Sequence, residues 1–273
     1  LGPNVTVHAV ENGNIAMGNG VNRGAILIDT PATTLTITGN NWINDTSGRL
    51  EASAGTLALN SLLRNDGSTV VSGGVMNFNT NDATYVWTNP GTLRLDAGTL
   101  NLGGRITTAT FNTVTRPQDA DRGTFNVEAV IDNANSTLLF DAAKGAVNLT
   151  TGQGTIENGS VTIAGGSLRS VNGFLRDVTL NSDFLLDGSD QLRILGTLTL
   201  ANNATVRIGG PTNGTTYLYQ GSNAAWGIAG TGTILFGGSA VSAGRNLGSG
   251  GAPLTLGPNV TVHAVENGNI AMG

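Results

Sequence analysis

Three stretches of this chain can be laid over one another: residues 44–59 (NDTSGRLEASAGTLAL), 65–78 (NDGSTVVSGGVMNF) and 89–102 (NPGTLRLDAGTLNL). Gly55, Gly74 and Gly98 then fall in register, 19 and 24 residues apart, each followed two places on by an apolar residue: Leu57, Met76 or Leu100. Trp42 and Trp87 sit at matching positions ahead of the first and third stretches, and the cadence returns as Gly-Thr-Ile or Gly-Thr-Leu at Gly154, Gly196 and Gly232. Inside each unit apolar and polar residues alternate, as in Leu57/Leu59, Leu93/Leu95, Leu198/Leu200 and Val206/Ile208. A period of two is a strand with one buried face. The runs are short and are separated by Gly, Asn, Asp and Ser, which accept left-handed turns. A sandwich of long hairpins needs longer runs and more than the 5% aromatic residues present. Coils of roughly 20 residues, each giving two or three short strands to a stack, need neither. The expected fold is an all-β parallel β-helix, or β-solenoid.

A second, longer repeat frames the first. Residues 1–18 (LGPNVTVHAVENGNIAMG) recur without a mismatch as residues 256–273, an offset of 255. The chain therefore reads as one continuous solenoid over residues 1–273: a tandem unit, 1–255, plus the first 18 residues of the next copy, 256–273. A unit of this size repeated without drift builds length rather than chemistry. At roughly 20 residues per coil it holds about twelve or thirteen coils, on the order of 60 Å of rod at the spacing of hydrogen-bonded strands. The two copies are expected to fold alike and to act as a joint. Asn44, Asn65 and Asn89 recur at comparable corner positions, where stacked asparagine side chains hydrogen-bond along a column.

Composition agrees with this class and excludes others. With 41 Gly in 273 residues and abundant Asn and Thr, helix is disfavoured, while recurrent Val, Leu and Ile and a net charge of only −5 argue against disorder. A mildly acidic chain lacks the basic stripe that nucleic acid requires. No apolar run approaches the ~20 residues of a membrane-spanning helix. There is no cysteine, and any export signal is expected outside this sequence.

Two segments break the rhythm and are read as binding-loop candidates: residues 113–123 (TVTRPQDADRG), with Arg116, Asp119, Asp121 and Arg122, and residues 209–221 (GGPTNGTTYLYQG), with Tyr217 and Tyr219 on one face of a short strand. Asp119 with Asp121, and Asp183, Asp187 and Asp190, are the closest groups of acids. Neither has an accompanying histidine, and both read as turn residues rather than the paired carboxylates of a glycosidase. His8 and His263 are one position in two copies and lack partners at metal spacing. No catalytic residue, metal site or cofactor is expected.

The phrases WINDTSGRLEASAGTLALN, WTNPGTLRLDAGTLNLGG, GQGTIENGSVTIAGG and LTLGPNVTVHAVENGNIAMG resemble the long repeats of giant bacterial surface proteins, in the style of autotransporter passengers and filamentous-haemagglutinin-type adhesins. The resemblance implies a right-handed, single-stranded parallel β-helix displayed outside the cell. It implies roles in adhesion, surface coats or filaments. The leading expectation is a non-catalytic structural segment whose partners are neighbouring copies of the same repeat. An adhesive or carbohydrate-binding module for surface glycans is the alternative, and a polysaccharide-degrading β-helix enzyme the second. Nucleic-acid partners and membrane insertion by this segment are not expected.

Overall fold

The computed structural model describes residues 1–80, 82–117, 122–150, 153–239, 244–248 and 251–271. Strands make up 60% of the chain and helix 2%, and the strands stack in parallel as a β-solenoid. There are about 11 turns of about 23 residues, fewer and longer than the twelve or thirteen coils of roughly 20 expected from the glycine spacing. The chain divides into two compact units, Leu1–Ile131 with Ala143–Gly145, and Asp132–Ala142 with Ala146–Gly273.

In the first unit the register runs unbroken from coil to coil: Thr6 beside Ala25, Ala25 beside Arg49, Arg49 beside Ser68 and Ser68 beside Thr92. Every second residue therefore joins an inward column. One such column is Leu35, Leu57, Met76, Leu100 and Phe125, all buried. The glycines two places before the last four of them stack as well. A side chain on Gly98 would place its Cβ 2.2 Å from the Gly74 carbonyl oxygen, and one on Gly123 would lie 2.6 Å from that of Gly98. Close backbone approach, together with φ of +78° at Gly98, accounts for the in-register glycines of the sequence, and Gly123 extends their series.

The corner asparagines form the expected ladder. Asn44 Nδ2 donates to Asn65 Oδ1 at 2.7 Å and Asn65 Nδ2 to Asn89 Oδ1 at 2.5 Å. Asn22 Nδ2 begins the series by donating to Asn44 Oδ1 at 2.8 Å, and Asn89 Nδ2 ends it on Thr113 Oγ1 at 2.6 Å. All four asparagines are buried, and a buried amide is tolerable only when its donors and acceptors are matched. Trp42 and Trp87 serve matching ends, their indole N–H groups donating to the carbonyls of Asn60 and Gly103.

The second unit repeats the stacking with longer strands, Ser167–Leu180, Gln191–Ile208 and Trp226–Phe236. Val178, Leu198 and Ile228 share one buried column, and Phe184, Val206 and Ile234 another. Its buried polar column has mixed chemistry: Ser170, Asp190, Thr216 and Arg245 occupy successive levels.

One short helix, Thr108–Asn112, interrupts the strands of the described residues. Its sequence, TATFN, has poor helix propensity, so its surroundings hold it. The Thr107 hydroxyl caps its start by accepting from Thr110 N, and Phe111 stacks on Phe125 at 5.6 Å. The only lysine of the sequence, Lys144, donates from Nζ to the carbonyls of Asn112 and Val114 at 3.0 and 2.7 Å, where a cation complements the helix C-terminus.

Candidate functional site

Both loop expectations narrow once placed in the stack. Val114 and Thr115 are paired with Leu93 and Arg94, so the first segment leaves the ladder only after Thr115. Asp119 and Asp121 lie outside the described residues. Arg116 is buried and points its guanidinium at main-chain carbonyls, donating to Lys144 O at 2.6 Å, Gly123 O at 2.8 Å and Arg122 O at 3.0 Å. Burial, and after it the neighbouring Arg122 charge, holds the Arg116 pKa below its ordinary value. Among its contacts, these three tie the backbone of Arg122 and Gly123 to that of Lys144.

Tyr217 and Tyr219 belong to the strand Thr215–Gln220, with Leu218 between them buried, so the excursion is confined to residues 209–214. Their rings meet edge to face at 5.9 Å. The Tyr219 hydroxyl accepts from Arg193 Nε at 2.7 Å and lies 3.0 Å from Gln191 Oε1, to which it donates. Arg193 in turn sits 5.3 Å from the ring centres of both Phe174 and Tyr219. Phe174, Arg193 and Tyr219 are register partners on successive coils, so a stacked cation–π column occupies this outward face.

The remaining candidate acids accept hydrogen bonds both within their own turns and from adjacent coils. Asp183 Oδ1 accepts from Thr205 N, Asp187 Oδ1 from Gly188 N and Thr212 N, and Asp190 from Arg169 Nε and Asp187 N. Burial raises the Asp190 pKa, against the opposing pull of the Arg169 hydrogen bond. Among the described residues no group of three or more His, Cys, Asp or Glu is placed to hold a metal ion. No helix there is long and apolar enough to cross a membrane. An open groove of about 650 Å³ in the second unit is lined by Asp183, Leu185, Thr205, Arg207, Pro211 and Leu235. The sequence signals it only as outward positions of alternating strands.

The duplicated segment has the most distinctive geometry. Its copies place strands at equivalent positions, Thr6–Ala9 against the last four residues of Asn259–Ala264, and both open on the same turn, Val5 N to Gly2 O and Val260 N to Gly257 O, each at 3.1 Å. Their pairing is opposite. Thr6, Val7, His8 and Ala9 pair with Ala25, Ile26, Leu27 and Ile28 on the following coil. Thr261, Val262, His263 and Ala264 pair with Thr233, Ile234, Leu235 and Phe236 on the preceding coil. Asn14 and Asn269, the same position, divide their side-chain bonding likewise: Asn14 Oδ1 accepts from Thr38 Oγ1 at 3.1 Å, and Asn269 Nδ2 donates to Asn246 Oδ1 at 3.3 Å. Val262 and Ile270 extend the columns of Ile234 and Leu247, while Val7 and Ile15 begin those of Ile26 and Ile37. One sequence thus has two complementary faces, and each copy uses one.

The fold and this site define a parallel β-solenoid in which the two copies of a duplicated coil pair on opposite faces. No protein-family profile, curated protein or solved structure matches the chain.

Proposed function

We propose that this chain is a non-catalytic structural segment of an extracellular fibre or giant cell-surface protein, in which 255-residue repeats stack end to end into a rigid rod. The observation that supports this most is the complementary pairing of the duplicated coil, whose preceding face is used in one copy and whose following face is used in the other. Placed once between two repeats, such a coil carries columns of Ile, Val and Leu across the boundary and leaves no strand edge bare. The resemblance of its repeats to those of bacterial surface proteins supports the extracellular setting. The test is electron microscopy of a chain carrying several repeats. Rods with an axial period of about 50 Å, from about 11 turns at about 4.8 Å each, are expected. Separate bodies at irregular spacing would reject the reading.

A glycan-binding role is the second reading, supported by the groove around Leu185 and Arg207 and by the outward Tyr217. On a glycan array R207A and Y217A are then expected to lose signal that the parent chain gives. A parent chain without signal removes this reading and leaves the first untouched.

A further inference from the structure

We propose that the groove around Leu185 and Arg207 binds a saccharide that bears a carboxylate, with the Arg207 guanidinium holding that carboxylate. The inference rests on the glycan-binding reading and narrows it to one class of ligand.

Arg207 is set apart by what it lacks. Six arginines pair with carboxylates, and Arg116, Arg193 and Arg245 donate to oxygen atoms of the chain itself. Arg105 and Arg122 have partners as well. Among the described arginines, Arg207 alone has no hydrogen bond, ion pair or ring contact, and it lies exposed in a groove of about 650 Å³. Its register partners are Leu185 on the preceding coil and Leu235 on the following one. Both alternate with buried residues and so face outward, Leu185 with 44% of its surface exposed. Strands at about 4.8 Å spacing put the guanidinium level midway between two leucine levels about 10 Å apart. A cation between two apolar side chains suits a ligand with an apolar body and one anionic group.

The rim supplies the groups that hydroxyls need. Asp183 uses Oδ1 to accept from Thr205 N at 2.8 Å and forms no ion pair with Arg207, so its Oδ2 is open to a ligand hydroxyl. Thr205 and Ser239 bring hydroxyls of their own to the lining. Asp187, by contrast, is occupied through both oxygens by Gly188 and Thr212. Part of the wall is bare main chain: a Cβ on Gly238 would lie 2.4 Å from the Gly210 carbonyl oxygen. A carboxylated pyranose matches this set. Its C–H faces meet the leucines, its carboxylate takes the fork of the guanidinium, and its hydroxyls donate to Asp183, whose charge turns the carboxylate toward Arg207. A neutral sugar leaves Arg207 without an anion. An acidic peptide brings further carboxylates to Asp183 and finds no strand edge to join, because the strands behind the groove pair with one another.

The test is a titrated array of uronic-acid and sialic-acid glycans, each printed beside its carboxyl-reduced neutral counterpart, with hexaglutamate as a peptide anion. The full chain is expected to bind one or both acidic sets about tenfold more tightly than their neutral counterparts, and the set that binds identifies the sugar acid. R207Q is expected to abolish that preference. It removes no contact of the fold, so its loss of binding is not a loss of folding. R64Q, at an exposed arginine of the first unit, is expected to keep the preference, and L185A to weaken acidic and neutral glycans alike. Equal binding of acidic and neutral glycans, an undiminished preference in R207Q, or hexaglutamate held as tightly as the acidic glycans would overturn the proposal. Neutral glycans bound as well as acidic ones would leave the glycan-binding reading standing. Binding to no glycan removes both.

Discussion

The two units solve the same problem, a buried polar corner, with different chemistry. In the first, Asn22, Asn44, Asn65 and Asn89 bond to one another along the stack, each amide donating to the next carbonyl oxygen. In the second, Ser170, Asp190 and Thr216 reach the adjacent coils through groups outside the column rather than through one another, Ser170 Oγ to Gln191 O at 2.7 Å, Thr216 Oγ1 to Gly244 O at 3.1 Å, and Asp190 to Arg169. A ladder of identical groups couples neighbouring coils through side chains, so losing one rung strands the rungs on either side. A mixed column has no such continuity, and each loss stays local.

The largest expected effect is therefore at an inner rung. N65A removes a donor and an acceptor and leaves Asn44 Nδ2 and Asn89 Oδ1 buried with those bonds unmade, for a loss of about 3 kcal/mol. Urea unfolding followed by the fluorescence of Trp42 and Trp87, with Trp226 replaced by Phe, measures it in the first unit. S170A and T216A each give up hydroxyl-to-backbone bonds and are expected to cost about 1 kcal/mol. Their effects are expected to add, whereas N44A and N65A together cost less than their sum because they share a bond. Equal costs at the two columns, or additive losses along the ladder, would erase the distinction.

The smallest effects are in proton binding, and they have opposite signs. The Arg23 hydrogen bond, followed by the Thr46 amide, holds the Asp45 pKa below its ordinary value. Its contribution to stability is present above the ordinary aspartate range and is lost as pH falls through the lowered value. Asp190 is raised by burial, so the folded state binds its proton more tightly than the unfolded chain. Its contribution is favourable when protonated and declines as pH rises from the ordinary aspartate value through the raised one. Carboxyl NMR titration is expected to place Asp45 below and Asp190 above the ordinary value, and R23Q to return Asp45 toward it. Two normal titrations would contradict both assignments.

The contrast also explains what the sequence reveals. Asn44, Asn65 and Asn89 are legible because the ladder uses one residue type at nearly constant spacing. Asn22 belongs to the same ladder but precedes a stretch without the glycine cadence, so pattern alone does not find it. Ser170, Asp190, Thr216 and Arg245 share a column only by register, with no common chemistry to mark it. The helix Thr108–Asn112 is invisible to propensity because Phe125 and Lys144, remote in sequence, hold it. Arg116 and Tyr219 stand out in the sequence only as members of a polar and an aromatic run. Their use on backbone carbonyls and in the Phe174, Arg193 and Tyr219 stack depends on neighbouring coils. The duplication is the one part of the candidate site that sequence states outright; which face each copy uses is the structural contribution.

Hydrogen exchange at that duplication tests the joint most directly. In a two-repeat chain, the amides of the 18-residue coil between the repeats are predicted to exchange far more slowly than those of the same residues at either end, since only the internal coil is paired on both faces. Exchange at the internal coil as fast as at the ends would contradict the account.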